Sequence, residues 1–174
     1  DATQQDKARM RDDLGMDQPF YVKFGRFVGN AAQGEFGLSL RQGRPVSVLL
    51  KERLPATLEL SAAAALLSVV VGIPMGVYTA LRRRSVLSHL LLAGSLIGVS
   101  LPTFLIGILL ILVFAVYLGW LPSFGRGDVL ALGWWTTGLL TVSGLKALIL
   151  PTITLSLIQM TLIMRLVRAE MLEV

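Results

Sequence analysis

The sequence contains no cysteine and a single histidine, His89, and only 16% of its 174 residues are charged. The absence of cysteine excludes disulfides, thiolate metal sites and thiol nucleophiles. Soluble domains carry about 25% charged residues, so the low charge content excludes an ordinary soluble globule and a disordered chain. Hydrophobic residues make up 54% of the chain, and the mean hydropathy is +0.70. This composition predicts an integral membrane protein.

Charge is also unevenly distributed along the chain. Residues 1–56 hold 9 Lys or Arg and 7 Asp or Glu, whereas residues 57–174 hold only 7 and 4. The net charge is +5, but the basic residues lie at the ends of apolar runs, where Lys and Arg meet lipid headgroups. We therefore expect contact with a lipid bilayer and no nucleic-acid partner, and an N-terminal part exposed to water.

Groups that catalysis would need are missing from the apolar runs. No phosphate-binding Gly-Lys-Ser/Thr loop is present, and His89 sits at the end of a run, beside three arginines. Zinc hydrolysis and Ser/His catalysis have no plausible residues. We expect no catalytic, cofactor-binding or metal-binding residues, and any uphill transport must draw its energy from a partner. A membrane-embedded enzyme is disfavoured for the same reason.

The apolar runs predict three membrane spans. Leu60–Leu81 is 22 residues long without a formal charge, Ser85–Gly125 is 41 residues, and Ala147–Met164 is 18. A helix needs about 20 apolar residues to cross the hydrocarbon layer. We expect spans at 56–81, 88–117 and 147–168, joined by a loop over 118–146. The short loop 82–84, with three arginines and no acid, favours the cytoplasmic side for that end.

One further uncharged stretch, 129–145, leaves the number of spans open. It contains three glycines and the pair Trp134-Trp135, which suits the membrane interface. We interpret it as an interfacial or re-entrant segment, and a fourth span is the alternative.

Residues 1–55 are predicted to form an external helical segment. A charged helix is expected over 1–15, and a second over 18–32, with Asp17 as candidate N-cap. An apolar face of that second helix is expected to form the core of a small external subdomain or to lie at the membrane interface. Residues 44–56 read as an amphipathic lead-in to the first span, bent at Pro55. Because the chain begins without Met and ends in helix-forming sequence, we expect an internal piece of a longer polypeptide.

Small residues on the first two spans predict close helix packing. Gly72 and Gly76 form a GxxxG pattern, and Gly94 and Gly98 form a second. Small residues let helix backbones approach closely in lipid. The predicted helix-packing seam consists of Ser61, Ser68, Gly72, Gly76, Gly94 and Gly98. Pro74 and Pro102 are predicted to kink their helices.

Polar residues on the second and third spans are candidates for the lining of a conduit. An interhelical hydrogen bond is the alternative role for them, because a polar side chain in hydrocarbon needs a partner. Thr152, Ser156 and Gln159 share one helical face, and Ser100 and Thr103 flank Pro102. The translocation-path candidates are therefore Ser100, Thr103, Thr152, Ser156 and Gln159.

Several motifs, in this order and spacing, resemble one known family. They are Gly34-Glu-Phe-Gly37, Glu52-Arg-Leu-Pro-Ala-Thr-Leu-Glu59, Gly72-Ile-Pro-Met-Gly76, Ser100-Leu-Pro-Thr-Phe104, Leu118-Gly-Trp-Leu-Pro122, Leu150-Pro-Thr-Ile-Thr154 and Arg165-Leu-Val-Arg168. The chain resembles the first of the two permease subunits of bacterial ABC importers of the dipeptide/oligopeptide (peptide/nickel, glutathione) family. The resemblance covers nearly the whole chain.

The resemblance implies an all-α integral membrane protein of the bacterial cytoplasmic membrane. It implies a transmembrane helix bundle in which 1–55 and 118–146 face outside, while 82–88 and the C-terminal end face inside. It also implies alternating access, with a second permease subunit, two ATPase subunits and an extracytoplasmic substrate-binding protein as partners. The loop that couples to the ATPase would lie beyond Val174. The alternative from another functional class is a membrane scaffold or sensor subunit with no transport path.

Overall fold

The computed structural model describes residues 19–39 and 41–173, and this part of the chain is mostly helical. Its elements are α1 (Phe20–Ala32), α2 (Val46–Leu81), α3 (Val86–Ser100), α4 (Thr103–Leu110), the π-helical segment Ile111–Tyr117, β1 (Leu130–Leu132), β2 (Trp135–Thr137) and α5 (Val142–Glu173). Contacts divide the chain into two compact units, Asp1–Glu52 and Arg53–Val174. The helix predicted over 1–15 and the candidate N-cap Asp17 lie outside the described residues.

In the first unit, α1 is followed by a turn that leads into α2. Pro19, with ψ of 147°, occupies the N-cap of α1. Leu38 and Pro45 form an antiparallel bridge, and Ser39 donates its backbone N–H to the Arg44 carbonyl over 2.9 Å. Arg44 forms an exposed ion pair with Glu52. The hydrogen bond and the charge of Glu52 raise the pKa of Arg44 above its ordinary value.

The apolar face of α1 is exposed. Phe20, Phe24, Phe27 and Val28 are 79%, 58%, 56% and 47% exposed, and α1 buries none of its residues. The expectation that this face forms the core of a small subdomain is therefore wrong. Aromatic side chains that stay more than half exposed remove little apolar surface from water, so this face does not act as a core.

Two helices are long and apolar enough to cross a membrane within the described residues, α2 and α5. The most apolar 18-residue windows of α2 and α5 are only 22% and 28% buried. Soluble core helices of this hydropathy would be mostly buried, so the exposed apolar surface suits lipid or further helices. The predicted lead-in 44–56 and first span 56–81 fold as one helix, α2, which continues through Pro55 and Pro74.

α2 and α5 run parallel and touch along a row of small residues. The Ser68 hydroxyl lies 3.2 Å from the Ser156 carbonyl oxygen. Methyl groups added to Gly72 and Gly76 would meet the carbonyls of Met160 and Met164 at 3.0 and 2.8 Å. In each of these three pairs the α5 residue number exceeds the α2 number by 88. Because the row advances by four residues on both helices, it follows one side of each helix.

The predicted second span, 88–117, is divided at Pro102. α3 ends at Ser100 and α4 begins at Thr103, and Pro102 has an extended backbone with ψ of 136°. Proline has no N–H to donate and disfavours helical geometry in the residue before it, so the helix ends there. Both halves pack on α5: Gly98 lies against Thr161, and Gly107 lies against Thr154.

A short β-hairpin corrects the all-α prediction. β1 and β2 pair antiparallel, with Leu130 opposite Thr137 and Leu132 opposite Trp135. Gly133 and Trp134 form the two-residue turn, where Gly133 takes a φ of +66° that suits glycine. The uncharged stretch 129–145 therefore folds as this hairpin followed by the start of α5 rather than as one helix.

Candidate functional site

Two polar clusters occupy the second unit. The first, the seam cluster, consists of Ser68 on α2 with Ser156 and Gln159 on α5. The second, the hairpin node, consists of Glu59 on α2 with Arg126, Trp135 and Gly138. Both clusters join α2 to residues at least 67 positions further along the chain.

The seam cluster is arranged around one hydroxyl group. Ser68 Oγ is fully buried and lies 2.7 Å from the Ala64 carbonyl oxygen, 3.2 Å from that of Ser156 and 3.4 Å from Gln159 Oε1. A serine hydroxyl has one proton to donate, so three acceptors compete for it. The hydroxyl can therefore exchange a bond within α2 for one across to α5 without losing its partner.

The path candidates fall into two groups. Ser156 and Gln159 meet at Ser68, whereas Ser100 and Thr103 lie at the break between α3 and α4. Ser156 is fully buried, while Gln159 and Ser100 are exposed and Thr103 is half-buried. Thr152, one turn before Ser156, is 9% exposed, and its Oγ1 has no hydrogen-bond partner among the described residues.

The seam candidates also divide by position. Ser68, Gly72 and Gly76 lie in the buried row of α2 that also includes Ala64. Ser61 is exposed and does not belong to this row. On α3, Gly98 is buried against Thr161, but Gly94 is exposed with nothing within 4 Å of an added methyl group.

The hairpin node holds a buried carboxylate. Glu59 is only 8% exposed. Its Oε1 accepts from Trp135 Nε1 at 3.2 Å, and its Oε2 accepts from Arg126 Nη2 and from the Gly138 backbone N–H, both at 3.4 Å. A buried charge needs an opposite charge and hydrogen bonds to be tolerated, and Glu59 has both.

Arg126 connects the carboxylate to strand β2. Its Nη1 donates to Thr136 Oγ1 at 3.2 Å, and its Nη2 donates to the Thr136 carbonyl at 3.0 Å. Two residues later, the Asp128 backbone N–H donates to Ser143 Oγ at 2.9 Å, and that hydroxyl donates to Asp128 Oδ2 at 2.6 Å. The segment before the hairpin is thus bound to β2, to α2 and to the first turn of α5.

Sequence reasoning missed the hairpin node. The sequence alone marks Glu59 only as the last residue of the Glu52–Glu59 motif and Trp135 only as an interfacial residue, and it does not single out Arg126. A signal was available, since the 118–146 loop contains one arginine and Glu59 is the only acid between Glu52 and Asp128. A lone acid at the edge of an apolar run calls for a basic partner.

A cavity of about 400 Å³ lies between α4, the π-helical segment, the following loop and α5. Most of its lining is apolar, and Ser123 and Thr154 supply hydroxyl groups. Its lining includes Gly107, Ile111, Pro122, Phe124, Leu150 and Pro151. Among the described residues, no group of three or more His, Cys, Asp or Glu side chains is placed to hold a metal ion.

Comparison with curated proteins gives several relatives. The chain is 37% identical to the probable D,D-dipeptide transport system permease protein DdpB of Escherichia coli, over 94% of its residues. It is 35% identical to the dipeptide transport system permease protein DppB of Alkalihalophilus pseudofirmus, over 99%. It is 40% identical to the di/tripeptide transport system permease protein DppB of Pseudomonas aeruginosa, over 92%.

These alignments cover 52%, 56% and 52% of the three relatives, so the chain spans about half the length of the curated relatives it matches. Residues 72–174, which include most of the seam and all of α3, α4 and α5, match a family described as binding-protein-dependent transport system inner membrane component. This match covers more than half of the chain. The protein belongs to this family of inner membrane components of binding-protein-dependent transport systems.

Proposed function

We propose that the protein is a permease subunit of an ATP-driven importer, and that it forms part of the path for peptides or similar small solutes. The observation that carries this proposal is the 35–40% identity, over 92% or more of the chain, to permeases named for dipeptide or di/tripeptide transport. ATP hydrolysis belongs to two partner ATPases, and delivery belongs to a substrate-binding protein. A second permease subunit completes the path.

The proposed arrangement has three spans. α2 and α5 each supply one, and α3 with α4 and the π-helical segment supplies the third, broken at Pro102. In this arrangement residues 1–55 and 118–146 lie on the external side of the membrane. The loop 82–88 and the C-terminal end lie on the cytoplasmic side. Support comes from helix direction, since α2 and α5 run parallel while α3 and α4 run antiparallel to α5, as three successive spans require.

Alternating access requires helices that shift without leaving polar groups unpartnered. The Ser68 hydroxyl is suited to this because its three acceptors lie on both α2 and α5. The glycines of the row keep the two backbones in contact with no long side chains between them, which favours small sliding movements. We propose that Thr152, Ser156 and Gln159 border the path on α5, and that Ser100 and Thr103 border it at the break.

The test is ATP-dependent uptake into vesicles that carry the full-length protein with its ATPases and binding protein. The panel contains short peptides, glutathione and nickel ions. Uptake of short peptides that requires every component is the expected result. If no substrate enters and no ATPase co-purifies with the protein, the importer proposal fails and the scaffold or sensor alternative takes its place.

Path residues are tested by substitution in the same assay. Gln159→Leu removes an exposed amide from α5, and uptake should fall while membrane insertion stays unchanged. The matched control is Gln42→Leu, an exposed glutamine in the turn before α2. Equal uptake by both variants would mean that Gln159 does not border the path.

A further inference from the structure

The end of the α2–α5 pair opposite the hairpin node contains a cavity of about 630 Å³. The residues lining it belong to the end of α2, the loop before α3 and the last turns of α5. They are Ala80, Leu81, Arg82, Arg83, Arg84, Ser85 and Met171. Three consecutive arginines thus line one cavity, and no acid is among these described residues.

The loop that carries the arginines is fixed by its own hydrogen bonds. Arg83 Nε donates to the Ala80 carbonyl at 3.3 Å, and Ser88 Oγ donates to the Arg82 carbonyl at 2.6 Å. The Tyr78 and Ser85 hydroxyls lie 3.1 Å apart. The backbone of a loop held in this way loses little further conformational freedom on binding.

A fourth arginine lies at the same level of the helix pair. The α2–α5 row pairs Gly76 with Met164, and the same spacing of 88 positions places Arg168 opposite Ala80, which lines the cavity. Arg168 Nη1 is buried and has no hydrogen-bond partner among the described residues. Arg168 is a neighbour of the cavity rather than one of its lining residues. Buried guanidinium nitrogens are normally hydrogen-bonded, and an acceptor on a group bound beside Ala80 would satisfy this one.

Nearby acids do not neutralise these arginines. Glu170 and Glu173 lie on the last turns of α5, yet within residues 19–39 and 41–173 no ion pair joins either of them to Arg168 or to the three loop arginines. The site therefore keeps a local excess of positive charge. Guanidinium groups bind phosphate oxygens in a two-pronged geometry that a lysine cannot reproduce.

We propose that Arg82, Arg83, Arg84 and Arg168 form a binding site for a phosphate group, carried either by an anionic phospholipid headgroup or by free phosphate. The bound phosphate bridges the α2–α3 loop and the end of α5. This site goes beyond the proposed transport function and does not depend on which solute is moved.

The test measures binding of phosphatidylglycerol to the full-length protein by native mass spectrometry, with phosphatidylcholine and inorganic phosphate as comparison ligands. Each arginine near an anionic headgroup contributes about 1 kcal/mol, so Arg168→Gln should weaken phosphatidylglycerol binding about fivefold. Arg82→Gln combined with Arg84→Gln should weaken it more. Arg168→Lys should recover part of the loss, because lysine keeps the positive charge but cannot form the two parallel hydrogen bonds of a guanidinium group.

The control is Lys146→Gln, which removes an exposed positive charge near the start of α5, at the other end of the helix. It should change binding less than twofold. Competition by inorganic phosphate at low millimolar concentration would support a free-phosphate source, and its failure to compete would support the lipid. If the arginine variants bind phosphatidylglycerol and inorganic phosphate as the Lys146 control does, the proposal is overturned, and an acidic protein segment becomes the candidate partner.

Discussion

The two ends of the α2–α5 pair differ in whether their charged side chains form ion pairs. At the hairpin node, Glu59 and Arg126 form an ion pair, and Trp135 and Gly138 complete the hydrogen bonding of the carboxylate. At the other end, Arg82–Arg84 and Arg168 form no ion pair among the described residues, and helix contact there depends on Gly72 and Gly76.

Helices in an apolar environment are therefore held together here by two different kinds of interaction. At the hairpin node the cost of burying one carboxylate is offset by its ion pair and hydrogen bonds, so all of its partners must remain in place. The glycine contacts gain theirs from dispersion between closely spaced backbones, which depends on shape rather than on charge. Substitutions at the two ends should therefore fail for different physical reasons.

Glu59→Leu should produce the largest loss of stability. It leaves the Arg126 guanidinium, the Trp135 indole N–H and the Gly138 N–H without their shared acceptor. Breaking a buried pair costs about 3–5 kcal/mol, and the partial exposure of Arg126 reduces the expected loss to about 2–4 kcal/mol. Chemical unfolding of the full-length protein in mixed detergent micelles measures it.

Glu52→Leu is the matched control for that substitution. Glu52 lies on the same helix seven residues earlier and pairs with Arg44, but both side chains are about half exposed. Exposed ion pairs contribute little, so the unfolding midpoint should stay nearly unchanged. Equal losses for Glu52→Leu and Glu59→Leu would mean that burial of the hairpin node contributes nothing.

Gly76→Ala should give the next largest effect. The added methyl group would lie 2.7 Å from Val167 Cβ and 2.8 Å from the Met164 carbonyl oxygen, so α2 and α5 must move apart. Overpacking of this kind costs about 1–3 kcal/mol. Cross-linking of cysteines introduced at exposed α2 and α5 positions would detect the separation.

Gly94→Ala is the corresponding control on α3, where nothing lies within 4 Å of the added methyl group. Alanine favours helix over glycine, so Gly94→Ala should leave stability unchanged or raise it slightly. A loss as large as that of Gly76→Ala would show that glycine flexibility, rather than close packing, explains the Gly76 result.

Trp135→Phe should cost about 1 kcal/mol, because it removes one hydrogen bond to Glu59 and keeps most of the aromatic surface. Trp134→Phe is the control next to it, since Trp134 is 68% exposed and packs edge-on against Trp135. Tryptophan fluorescence and the unfolding midpoint would separate the two variants. Similar losses would place the stabilising effect in the ring pair instead of the indole N–H.

Local patterns predicted the apolar helices well and the hairpin node poorly. Gly72 and Gly76 of the first GxxxG pattern lie on the side of α2 that contacts α5, whereas Gly94 of the second has no neighbour within 4 Å of an added methyl group. Spacing along one helix determines which residues share a face, but not what that face meets. Glu59, Arg126 and Trp135 meet only after the chain reverses twice, so no local period reveals them. The break at Pro102 follows from the missing N–H and the restricted backbone of proline. The β-hairpin depends on a turn at Gly133, and the apolar residues around that turn are equally typical of a segment that lies at the membrane interface.

Ser68→Ala should have the smallest effect on stability, about 0.6 kcal/mol, which is typical of a hydrogen bond between membrane helices. The hydroxyl has its shortest contact with Ala64 on its own helix, so its loss barely disturbs α2. If Ser68 serves movement between α2 and α5, uptake should fall by more than this energy predicts, beyond about threefold. Ser61→Ala, at an exposed position one turn outside the row, should alter neither quantity. A loss of uptake that merely matches the loss of stability would make Ser68 a packing residue and would assign the movement between these helices to the glycines alone.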